Sequence, residues 1–265
     1  MSITNHYSTL LLLTGLLTAC SSLRQRDDIT QLNQVFRIPR GQNMYAYSKR
    51  GGVVVKTIKK SVNAALYEQQ DTLFAEFLAE SLPQPDGDPN TLDQSDSLAL
   101  FFVHYNPTLK KIEEKSPWFR YQDTAFDLDL FTLPLKYRFA TAGQPGQLDD
   151  KLNVGIHAGY RYDLGRYRTV YFRHHQRSEI TSFSIGFGGF LCFAPATVTS
   201  FSTAGRVQDD YQALGINYGV ATTLSYGSVS AGLALGVERL SNHDRILWIY
   251  ENKPWIGVTV GINLN

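Results

Sequence analysis

The sequence predicts an all-β fold: an antiparallel transmembrane β-barrel of eight strands, with ten as the alternative, and a helical insertion near residues 61–82. Three observations lead there. Bulky apolar residues alternate strictly with small or polar ones through the C-terminal half of the chain. The alternating segments run for about nine to thirteen residues, the length a tilted strand needs to cross a hydrocarbon layer. The face opposite the bulky one is Gly, Ser and Asn with isolated full charges, which suits a narrow polar lumen better than a soluble core.

Composition agrees. The chain has 265 residues, 21 of them Gly, 15 Tyr and 15 Phe, a balance that favours strands. Mean hydropathy is −0.20, too low for a bundle of membrane helices but compatible with strands that hide a polar face. A formal net charge of +1 leaves no basic footprint for a nucleic-acid partner.

Residues 10–17 are an apolar run too short to span a bilayer but suited to a signal peptide, here residues 1–19. The run closes on Leu17-Thr18-Ala19-Cys20, which resembles the lipobox of bacterial lipoproteins. That resemblance implies cleavage before Cys20 and attachment of diacylglycerol to its sulfur, with an acyl chain such as palmitate on the new N-terminus. Several acyl chains anchor firmly where one does not. Conventional cleavage shortly after Ser21 is the alternative. Residues 20–42 are then a lipid-anchored tether, in which Gln25-Arg26-Asp27-Asp28 is either a surface-export signal or a solvated charged stretch.

The barrel domain is expected over residues 43–265, with clear strands from 131 onward. Phe131, Leu133, Leu135, Tyr137 and Phe139 share one face and Thr132, Pro134, Lys136 and Arg138 the other. Residues 152–164 set Val154, Ile156 and Tyr160 against Gly155, His157, Arg161 and Asp163. Residues 183–193 set Ile185, Phe187 and Leu191 against Ser184, Gly186 and Cys192. Three further segments follow at 214–226, 229–238 and 256–264. Tyr226-Gly227-Ser228 is a tight turn; 140–151, 194–212 and 240–254 are longer polar loops at the opposite ends. Six strands fall short of the eight usual for a closed membrane barrel, so two more are expected upstream, at 98–105 and around 45–58. Between these, Val62, Ala65, Leu66, Leu73, Phe77 and Leu78 suggest one face of a helix, ended by the proline-rich stretch 83–89.

Trp118-Phe119-Arg120-Tyr121, the stretch 126–138, Gly159-Tyr160-Arg161 and the stretch 248–257 together resemble a family of uncharacterised outer-membrane β-barrel proteins of Bacteroidetes-type bacteria. The resemblance covers roughly the last 150 residues (a barrel-sized length) and implies a fold and a location in the cell outer membrane, but no activity. Outer-membrane lipid and the machineries for barrel assembly and lipoprotein export are the partners it implies.

The chemistry-bearing residues are few. Lys136, Arg138, His157, Arg161, Asp163 and Glu238 fall on the inward face. They form either a closed ion-pair network or the lining of a small-solute path; a lumen of this size is filled by side chains. Ser241 and His243, with Glu238 to orient the imidazole, are the one nucleophile–base arrangement, as in a hydrolase of envelope lipid at the outer rim. Ser241-Asn242-His243-Asp244 is also ordinary turn composition. His174 and His175 are adjacent and would point to opposite faces of a strand, so no metal site and no cofactor is expected. Cys192 reads as an inert buried thiol. The expected role is non-enzymatic, structural or interactive.

Overall fold

The computed structural model describes residues 34–48, 51–105, 112–227 and 229–262. Cys20, the signal peptide and the charged stretch at 25–28 lie outside these. The described residues form fourteen β-strands and only short 3-10 turns. The fold is all-β, and every strand pairing in its ladders is antiparallel. Contacts divide the described residues into two units: unit 1 holds those from 34 to 117 and 168–178, and unit 2 holds those of 118–167 and 179–262.

Unit 1 contains β1 (Gln34–Ile38), β2 (Asn43–Tyr47), β3 (Val53–Thr57), β4 (Val62–Gln69), β5 (Thr72–Phe77), β6 (Phe101–Phe102) and β7 (Glu113–Lys115). The first six order as β3-β2-β6-β5-β4-β1. Their inward side chains, among them Ile38, Met44, Leu66, Leu73, Ala75 and Phe101, are fully buried.

Three expectations are corrected here. Residues 61–82 are not a helix. Val62, Ala64 and Leu66 are buried in alternation, as are Leu73, Ala75 and Phe77, and β4 pairs with β5 from Ala64↔Phe77 to Gln69↔Thr72. Gln70 and Asp71 both adopt positive φ, 49° and 58°, the geometry of a tight hairpin turn, so the apolar period is 2. Of the expected upstream strands, 45–58 holds the end of β2 and all of β3, and 98–105 holds only the two residues of β6; all three belong to unit 1 and are not among the strands of the ring. Residues 34–38, expected within a tether, are β1, paired with β4.

Unit 2 is built from β8 (Phe119–Arg138), β9 (Gln147–Asp149), β10 (Asn153–Phe172), β11 (Gln176–Val198), β12 (Tyr211–Tyr226), β13 (Val229–Leu240) and β14 (Pro254–Ile262), except that the ends of β10 and β11 at 168–172 and 176–178 belong to unit 1. Pairing runs β8-β14-β13-β12-β11-β10, and β10 pairs back onto β8. Six strands therefore close the ring, where eight or ten were expected. β8 faces β10 along 119–133 and β14 along 132–138, so its two neighbours hold successive stretches of one long strand. That is strong stagger, and stagger, tilt and barrel size are linked.

Glycine makes the closure tight. A Cβ on Gly159 would lie 2.3 Å from the Phe187 carbonyl oxygen, and one on Gly188 would lie 2.3 Å from that of Ala158. Gly219 and Gly236, direct partners across β12 and β13, face the same limit, with the Leu235 carbonyl 2.2 Å from a Cβ on Gly219.

A fourth correction concerns β8. Phe131 and Leu133, expected on the outward face, are buried inside. The ladder with β14 slips between Val258↔Leu135 and Val260↔Thr132, placing an extra β8 residue around Pro134. Proline cannot donate to a ladder and sits at such bulges. Before it the outward side chains are Phe126, Leu128 and Leu130; after it they are Leu135, Tyr137 and Phe139.

Candidate functional site

The interior of the ring is stacked in three layers. Nearest the end that carries loops 139–146, 199–210 and 241–253, Lys136 and Arg138 project inward from β8 because the bulge has reset the alternation. Glu238 projects from β13 and Asn217 from β12, which are register partners; Asp149 ends β9.

Lys136 Nζ donates to Glu238 Oε2 at 2.8 Å and to Asn217 Oδ1 at 3.2 Å, and lies 3.4 Å from Asp149 Oδ2. Arg138 donates to the same Glu238 oxygen through Nε at 3.0 Å and Nη2 at 2.7 Å, and Nη2 pairs with Asp149 Oδ2 at 2.8 Å. Two cations thus meet two anions, with Lys136 0% and Glu238 1% exposed. All three Glu238 bonds fall on Oε2; Oε1 has no hydrogen-bond partner among the described residues. Asn217 passes the network on to Asn153, which donates to the Leu133 and Lys151 carbonyls.

A lid closes this end. The Arg138 guanidinium lies 5.4 Å from the Trp248 ring and 5.3 Å from the Tyr250 ring, a favourable cation–π arrangement. Both rings are buried with Ala196, Val198 and Leu240. The two long loops are tied by the bond from Ile249 N to Ser202 O at 2.9 Å.

The middle layer is apolar: Phe131, Leu133, Phe190, Cys192, Ala221, Ala234 and Trp255. Phe131 stacks on Phe190 at 5.1 Å. Cys192 is free and buried. Below, toward the Tyr226-Gly227 turn, Arg161 pairs with Asp127 at 3.2 Å and Asp163 at 2.9 Å, and His157 stacks on Phe131 at 5.9 Å.

The six inward polar residues read from sequence therefore fall into two groups. Lys136, Arg138 and Glu238 meet in one; Arg161 and Asp163 meet in the other, with His157 at its upper edge. Sequence reasoning missed Asp149, Asn153, Asn217 and Asp127 as partners. Asp127 was findable, because Phe126, Leu128 and Leu130 alternate with Asp127 and Asp129 just upstream of the segment taken as the first strand. Asp149 was not, since it sits in a stretch without periodicity.

The rim arrangement of Ser241, His243 and Glu238 is not assembled. Glu238 points into the ring and binds Lys136 and Arg138, so it does not orient His243, which lies in a 3-10 turn, His243–Ile246. His174 and His175 sit at the tip between β10 and β11. Among the described residues no group of His, Cys, Asp or Glu is arranged to hold a metal ion. Compared with protein-family models, curated proteins and solved structures, the chain matches none of them.

Proposed function

We propose that the chain is an outer-membrane β-barrel protein whose closed, non-conducting ring serves a structural or interaction role, and that it is not an enzyme. The observation that carries this is the belt on the outside of the ring. Leu130, Ile156, Phe187, Val220, Leu233 and Val258, one from each of the six strands, are between 41% and 61% exposed. Next to each of these along its strand, Leu128, Val154, Ile185, Tyr218, Leu235 and Ile256 are also apolar, outward and exposed, so the belt runs unbroken around the ring. Patches beyond a few hundred Å2 are rare on soluble monomers, whereas a lipid-facing band with polar residues inside is what a membrane strand presents. The inversion is supported from within: a six-stranded soluble barrel would not bury Lys136, Arg138, Asp149 and Glu238 while exposing large apolar side chains on all six strands.

The lumen favours a plug over a path. The Lys136–Glu238–Arg138–Asp149 layer is internally neutralised and lidded by Trp248 and Tyr250, and an apolar layer lies beneath it. Anchoring through a lipidated Cys20 belongs to the same reading and rests on Leu17-Thr18-Ala19-Cys20 alone.

Outer-membrane fractionation combined with gel mobility before and after boiling tests the reading. Recovery in the membrane with a heat-dependent shift is expected; a chain that stays in the aqueous fraction sinks it. Palmitate labelling lost in Cys20→Ala, with membrane recovery retained, is the expected result for the anchor.

A further inference from the structure

Wholly within unit 1 lies a cavity of about 220 Å3. Five aromatic residues contribute to its wall: Tyr47, Phe74, Phe102, Tyr105 and Tyr171. Tyr47 lies 4.9 Å from Phe102, and Tyr105 meets Phe102 edge-on at 6.0 Å. Tyr47 is nonetheless 74% exposed and Tyr105 41%. Rings this exposed keep apolar faces open to whatever enters the cavity.

Apart from Leu73, the rest of the wall is polar and largely uncharged. Gln176 donates to the Asp71 carbonyl at 2.9 Å and to Thr72 Oγ1 at 3.2 Å. Thr169 Oγ1 lies 3.4 Å from His104 Nδ1. Burial pushes the His104 imidazole down to about 4, so it is neutral at physiological pH. None of the eleven lining residues is Lys or Arg, and Asp71 is the one carboxylate.

These features select a ligand class. A phosphate or carboxylate finds no cation. An acyl chain would match the rings but set only C–H groups against the hydroxyls and the amide, making no hydrogen bond to them. The volume lies below the roughly 300–1,000 Å3 of sites for drug-sized ligands, and so suits a single ring. What fits is a ring with an apolar C–H face for the tyrosines and an edge of hydroxyls for neutral donors and acceptors. We propose that this cavity binds one pyranose ring of a glycan, its C–H face on Tyr47 and Tyr105 and its hydroxyls toward Thr72, Thr169 and Gln176.

Saturation-transfer NMR on the full-length protein in detergent tests this with three probes: methyl β-glucoside, N-acetylglucosamine and tetramethylammonium. Transfer to the ring C–H protons of at least one sugar is expected. Transfer should fall at least fivefold in Tyr47→Ala and in Tyr105→Ala and persist in Tyr47→Phe, which keeps the ring. Stronger transfer to N-acetylglucosamine, including its acetyl methyl, assigns a cell-wall type of glycan; stronger transfer to the glucoside assigns a neutral hexose. Absence of transfer to both sugars, equal transfer in the two alanine variants, or displacement of the sugar by tetramethylammonium overturns the proposal. The last outcome would make the rings a cation–π site.

Discussion

At the scale of residues, the buried charges of unit 2 act as a set. Removing one member of a buried ion pair leaves its partners desolvated and unpaired, at a cost of about 3–5 kcal/mol, whereas replacing the pair by apolar groups of similar size is often close to neutral. Glu238 accepts from both Lys136 and Arg138 on a single oxygen. Glu238→Ala is therefore expected to destabilise the ring by about 3–5 kcal/mol in urea titrations in detergent. The double change Lys136→Met with Glu238→Met should cost less than Glu238→Ala alone, because Arg138 keeps Asp149 as its partner. A double variant as costly as the single one would mean that the layer is not held by these pairs. His104 carries the pH dependence of unit 1. Its folded-state value is depressed by burial to about 4 from an ordinary 6.5, so the fold favours the neutral ring. That contribution is fully present above about 6.5 and is lost as pH falls through about 4. Glu68 opposes it: burial first, then the nearby Asp71 charge, raise its carboxyl, so its contribution weakens as pH rises. Comparing wild type with His104→Asn isolates the histidine. The variant's thermal midpoint should fall less between pH 6.5 and 4, as scanning calorimetry would show.

At the scale of elements, glycine pairs decide whether six strands can close. A methyl on Gly188 would strike the Ala158 carbonyl and the Gly159 Cα, backbone atoms that cannot swing aside as a side chain could. Overpacking of this kind costs about 1–3 kcal/mol or more. Gly188→Ala is expected to reduce the fraction running as the folded form on an unboiled gel, while Gly189→Ala, whose added Cβ would meet its nearest neighbour at 3.7 Å, should not. The same scale shows why the sequence was legible in part. β12 to β14 and the middle stretches of β10 and β11 could be read because each keeps one parity there; the ends of β10 and β11 run on through 165–172, 176–182 and 194–198, beyond the segments that alternation marks. β8 could not, because Pro134 changes parity midway: Phe131 and Leu133 share numbering parity with Leu135 and Tyr137 yet face the opposite way. The β4–β5 hairpin was misread because its turn, Gln70-Asp71, holds no glycine or asparagine to mark it, so two short strands merged into one apparent helix face. Positive φ at both positions implies that Gln70→Asn with Asp71→Gly stabilises unit 1, by about 0.5–1 kcal/mol. Chemical denaturation followed by tyrosine fluorescence would measure it. In the interior, the inward charges could be named from alternation, but their grouping could not. Which of them meet depends on stagger around the ring, and that follows from pairings no single strand reveals.

At the scale of the whole molecule, the ring has its polarity reversed relative to a soluble barrel, and that reversal sets what substitutions cost. In water, an exposed leucine replaced by arginine away from special features changes stability by no more than about 0.5 kcal/mol. On the lipid face of a membrane barrel the same charge costs about 2–4 kcal/mol at the midplane and falls toward 0–1 near the interfaces. Leu233 sits near the middle of β13, outward and well exposed, while Val229 lies at the strand's turn end and is also outward. Leu233→Arg is expected to lower stability in lipid vesicles by about 2–4 kcal/mol, and Val229→Arg by much less. Ala234→Arg, one position along and directed inward among Phe131, Phe190 and Trp255, should abolish folding for a different reason, since the apolar layer has no partner for it. Equal, small penalties at 229 and 233 would show that water rather than lipid surrounds the belt. A depth-dependent penalty cannot arise from a soluble surface, because water offers an arginine the same solvation at every height along a strand.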